Sequence, residues 1–111
     1  TAGIPRWLAD ELDRAWRRHG SRLVPTMDAA ARRDGPGVDE LRRIGVPTGI
    51  AGCSDDPVHP AAVAAEWAGA LPVSALRFVT LDTLGADRAA LGRAAVLAWL
   101  RAGGRPNGVR D

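Results

Sequence analysis

The sequence predicts an α/β fold: a βαβα unit with two parallel strands, over about residues 46–52 and 75–81, preceded by two or three helices. Three observations carry this. The hydrophobic period changes near residue 45, from helical stripes to short apolar runs bounded by turn residues. The order strand, helix, strand, helix requires parallel strands joined by a right-handed crossover. Two such strands alone would leave both edges unpaired and be marginal in water, so the unit reads as a fragment of a larger sheet.

The elements follow in order. Ile4 to His19 is an amphipathic helix, with Ile4, Leu8, Leu12, Ala15 and Trp16 on one stripe. Asp10 with Arg14 and Asp13 with Arg17 stand at i,i+4, and Gly20 stops the helix. Residues 26–34 suggest a second helix capped by Thr26 and broken by Gly35-Pro36-Gly37. Val38 to Ile44 is a further short helical segment. Val46 to Gly52 is an apolar run with β-branched residues, read as a buried strand. Pro60 to Leu71 is a helix with proline in its first turn, ended by Pro72. Ala75 to Leu81 is the second strand. Asp87 to Ala102 is the last helix, uncharged from Ala94 to Leu100 and so expected to be largely buried. Gly103-Gly104 stop it, and 103–111 reads as a flexible tail. The expected organisation is a helical segment over 1–45, the βαβα part over 46–102, and the tail.

Composition narrows function. The chain has 111 residues, 46% hydrophobic and 25% charged, as ordinary globular domains do. All basic side chains apart from the two histidines are arginine, yet the formal charge is only +2. Asp10, Glu11 and Asp13 are interleaved with Arg14, Arg17 and Arg18, which describes a solvated helix face and not a nucleic-acid footprint. No apolar run approaches the ~20 residues a membrane span needs. The lone Cys53 permits no internal disulfide, which fits a reducing, cytoplasmic setting. Neither a metal-ligand cluster nor a phosphate-binding glycine motif is present, so no cofactor is expected. The chain begins at Thr1 without an initiator methionine, which suggests a fragment or a processed product.

The stretch from Leu41 to Pro60 carries a resemblance. Ile44, Val46-Pro47, Gly52, Asp56-Pro57 and Pro60 stand as they do around the penultimate strand of α/β hydrolases. The helix Ala61–Leu71, the strand Leu76–Leu81 and the terminal helix Asp87–Leu100 continue it, so the likeness spans about residues 38–102. It implies that the chain is the C-terminal portion of a serine-hydrolase-like protein acting on a small ester, thioester or amide substrate. It also implies that Asp56 holds the acid position of a Ser-His-Asp triad, with Asp55 as runner-up. Without the resemblance, the two acids read as a turn before proline and a helix start.

The pattern is incomplete. No G-x-S-x-G elbow surrounds Ser21, Ser54 or Ser74. The segment Asp82–Ala86, expected as the loop after the last strand, lacks the family's histidine. His59 reads first as a helix-entry residue, and otherwise as a stand-in base or substrate contact. Cys53, near His59 and Asp55, invites a thiol reading, but the adjacent carboxylates would raise its pKa. The four tryptophans, all in helical segments, are expected in the core. The chain is therefore expected not to be catalytic alone. The alternative is an interaction or oligomerisation module that uses exposed strand edges and the N-terminal helix, as a homodimer or with a complementing hydrolase segment.

Overall fold

The computed structural model describes residues 3–106. It divides into two compact units, residues 1–36 and 37–111. The first holds α1 (Arg6–His19) and α2 (Leu23–Ala31), joined by a 3-10 turn at Gly20–Arg22. Gly20 ends α1 at φ 55°, and its amide donates to the Trp16 carbonyl. That conformation suits glycine, which has no Cβ to clash. Thr26 is not a cap. Helix α2 begins three residues earlier, with Pro25 in its first turn, where the missing amide hydrogen has no helical partner to lose. No residue of either helix is fully buried, and Trp16 is 45% exposed.

The second unit is mixed α/β: α3 (Val38–Arg42), β1 (Thr48–Cys53), α4 (Ala61–Ala70), β2 (Ser74–Val79), α5 (Leu81–Ala86) and α6 (Ala90–Arg101). The strands are parallel, in register from Thr48 opposite Ser74 to Cys53 opposite Val79. Among the described residues they form a two-stranded sheet. Strand β1 starts two residues later than 46 and runs to Cys53. Val46 is left exposed, and its carbonyl accepts the Thr48 hydroxyl. Strand β2 ends at Val79, because Thr80 leaves the ladder to cap α5 by accepting the Thr83 amide at 3.1 Å. Leu81, expected in the strand, is a buried residue of that helix, and the expected loop 82–86 is helical.

Two glycines define the layers. A Cβ on Gly49 would collide with the α6 backbone at Ala95 and Trp99, whereas one on Gly52 would meet Ala64 of α4. Residues three apart on a strand face opposite ways, so α4 and α6 cover opposite faces of the sheet. Only one stripe of α6 is buried: Ala90, Ala94 and Ala98, small residues that let the helix lie close on the strands. Val96, Leu97 and Leu100 are exposed, against the expectation of a largely buried helix. The helix closes in a Schellman arrangement. The Gly104 amide donates to the Trp99 carbonyl at 2.8 Å and the Gly103 amide to Leu100 at 3.1 Å, with Gly103 at φ 105°. The remainder of the expected tail, 107–111, lies outside the described residues. Trp67 is 37% exposed, so neither it nor Trp16 is a core residue.

Gly92, inside α6, has open space where a Cβ would stand. Gly92→Ala is expected to stabilise the protein by about 0.5–1 kcal/mol, since alanine is the better helix former. A urea midpoint unchanged or lowered would mean that this face of α6 is not free.

Candidate functional site

The site lies beyond the carboxyl end of β1, where parallel sheets gather ligands and reactive groups. Strand β1 ends on Cys53, and the Ser54 amide extends the ladder by donating to the Val79 carbonyl at 2.9 Å. The chain then turns through Asp55-Asp56-Pro57-Val58-His59 before Pro60 leads into α4. Pro60 is the N-cap, one position before the first turn where sequence reading placed it.

The two adjacent carboxylates have different tasks. The Asp55 Oδ1 accepts the Leu81 amide at 2.8 Å, tying the turn after β1 to the first turn of α5, which follows β2. A carboxylate there also meets the positive end of the α5 dipole. The Asp56 Oδ1 accepts the amides of Val58 at 2.8 Å and His59 at 3.2 Å, which closes the turn on itself. Its Oδ2 lies 3.1 Å from the Nδ1 of His59. Partial burial pushes the Asp56 pKa up. The amides of Val58 and His59 and the His59 ring outweigh that, and hold the carboxyl below the ordinary aspartate value. Asp56 is thus kept ionised beside an imidazole. The side chain of Asp56 is only 14% exposed, against 84% for His59.

Asp55→Ala is expected to cost about 1 kcal/mol, the scale of one charge-assisted hydrogen bond at a partly exposed site. Amide exchange at Leu81 should then accelerate while the β1–β2 ladder amides keep their protection. Unchanged exchange at Leu81 would mean that the carboxylate does not hold α5.

His59 meets Asp56 because the two stand three residues apart around the turn, a spacing visible in the sequence. When Nδ1 carries the proton it donates to Asp56 and leaves Nε2 as the basic nitrogen. This is how a triad acid orients its histidine. Here the histidine belongs to the same turn as the carboxylate. The segment after β2 is helical, with Thr80 as its cap and Asp82 in its first turn. The neighbouring Ser54 hydroxyl faces the Val79 carbonyl at 3.5 Å, beside the strand ends.

Cys53 is buried and free. Burial raises its thiol pKa, and the Asp56 and Asp55 carboxylates raise it further. The thiolate is therefore disfavoured, which argues against nucleophilic use. An open groove of about 380 Å³ runs along β1 and α4 beside His59, walled by Ile50, Gly52, Cys53, Val58, Val63 and Trp67. Its walls are mostly apolar, so it suits a hydrocarbon group better than a charged one.

Sequence reading missed α5 and the bond from Asp55 to Leu81. The cap was legible in Thr80, with Asp82 in the first turn that follows, but the apolar run through Leu81 masked it. Among the described residues no group of His, Cys, Asp and Glu is arranged to hold a metal ion, and no helix is long and apolar enough to cross a membrane. Comparison with protein-family models, curated proteins and solved structures finds no match, so the chemistry of the site is read from its own geometry.

Proposed function

We propose that this chain is the C-terminal part of an α/β-hydrolase-like protein that acts on a small ester, thioester or amide. In this reading it supplies the acid-bearing turn and is not catalytic alone. The observation that carries it is the ionised Asp56, held beyond the carboxyl end of a parallel strand and hydrogen-bonded to an imidazole nitrogen. The apolar groove beside His59 supports a substrate with a hydrocarbon portion. The nucleophile and oxyanion donors would come from strands that pair with the free edge of β1. The Asp56–His59 pair orients a base that, within the described residues, has no activated hydroxyl to serve.

The test is hydrolysis of a nitrophenyl ester by this chain alone. Background rates, unchanged in His59→Ala and Cys53→Ala, are expected. Robust turnover lost in either variant would defeat the claim that the chain is inactive alone. An in-frame G-x-S-x-G segment encoded upstream would support the family role, and an upstream reading frame without one would count against it.

A second reading has its own observation: the described sheet has two strands, and Phe78, Val96, Leu97 and Leu100 are exposed. A module that pairs through these strand edges would form a dimer or bind a partner strand. Light scattering separates the readings, because a stable monomer over a wide concentration range removes self-association.

A further inference from the structure

We propose that Arg14, Arg18, His19 and Arg22 form a binding site for a phosphate-bearing ligand on the N-terminal helical unit. These four line one open trough of about 810 Å³, together with Glu11 and Ala15. From Arg14 to Met27 the sequence contains no carboxylate, while Arg14, Arg17, Arg18 and Arg22 fall within that stretch. Arg14 and Arg18 stand at i,i+4 on α1, which puts like charges on one helix face at a small cost, and Arg22, beyond the break at Gly20, lines the same trough. Three arginines of this unit pair with a carboxylate locally: Arg14 with Glu11, Arg17 with Asp13 at 3.0 Å, and Arg32 with Asp28 at 3.0 Å. Arg18 and Arg22 have no carboxylate partner among the described residues. The α1 dipole accounts for basic residues in its last turn, Arg17, Arg18 and His19, but not for Arg22, which lies past the helix end in the 3-10 turn.

Planar guanidinium groups bind phosphate oxygens through paired N–H donors, and an imidazole adds one more donor. The trough is open and presents three guanidinium groups, so a polyphosphate or a phospholipid headgroup matches it better than a single small anion. Both sources offer the same chemistry to the arginines.

The experiment titrates the full chain with inorganic tripolyphosphate at low ionic strength, following the arginine guanidinium Nε–H signals by NMR, with a parallel arm of phosphatidylcholine vesicles containing phosphatidic acid. Saturable shifts at Arg18 and Arg22 are expected. Arg18→Ala and Arg22→Ala should each weaken binding about tenfold, the worth of one charge-assisted contact. Arg18→Lys should fall between, and Arg33→Ala should leave binding unchanged. Circular dichroism on each variant checks that α1 is intact. Tripolyphosphate binding without vesicle binding assigns a soluble ligand, and vesicle binding displaced by tripolyphosphate assigns the headgroup. Absence of saturable binding in both arms, or equal weakening by Arg33→Ala, overturns the proposal.

Discussion

Gly49→Ala is expected to lower the stability of the sheet-containing unit by about 3 kcal/mol, and Gly49→Val by more. A Cβ at this position enters the α6 backbone, with the Trp99 Cα at 2.8 Å and the Trp99 nitrogen and Ala95 carbonyl oxygen closer still. Backbone cannot rotate away as a side chain can, so α6 must lift from the strands. Lifting it exposes the face that buries Ala90, Ala94 and Ala98. Gly52 is the control. Its Cβ would meet the Phe78 ring at 3.1 Å and the Ala64 Cβ at 3.4 Å, and a half-exposed ring can shift. Gly52→Ala is therefore expected to cost about 1 kcal/mol or less. Replacing a strand glycine would otherwise favour folding, so a loss at Gly49 has the opposite sign to the propensity effect. Urea denaturation of both variants decides the matter, and equal midpoints would refute the close seating of α6 on β1.

Asp56→Ala is expected to cost about 2 kcal/mol, because it strips the acceptor from two backbone amides and from the His59 ring at a mostly buried carboxylate. Asp56→Asn keeps an acceptor oxygen but loses the charge, and should cost about half as much. The pH dependence has a definite sign. The folded-state pKa of Asp56 is depressed, so the folded protein gives up this proton more readily than the unfolded chain. The carboxylate's contribution is fully present above the unfolded value, near ~4, and disappears as pH falls through the lower folded value. Asp87 is depressed in the same way by its hydrogen bond from Arg93, but wild type and variant share it, so it cancels. The stability gap between wild type and Asp56→Asn should be flat near neutrality and close in acid. A gap that widens below pH ~4 would show that the carboxylate is not stabilised in the folded state.

Local chemistry determined a large part of this protein. The stripe of α1, the two short apolar runs and the turn residues between them specify helices, strands and their parallel order, because periodicity and turn formation act over a few residues. The spacing of Asp56 and His59 around Pro57 belongs to the same class: a three-residue turn brings them together whatever the rest of the chain does. Residues distant in sequence decided the remainder. The Asp55 bond to Leu81 depends on β1 and β2 ending side by side. The exposure of Val96, Leu97 and Leu100 depends on which stripe of an apolar helix the sheet covers, and the alanine stripe wins because Gly49 lets it approach most closely. Strand β2 stops at Val79 because Thr80 is more use as a cap than as a further rung. Such choices are made by packing and by competition for hydrogen bonds across the fold, and a chain read one residue at a time does not contain them.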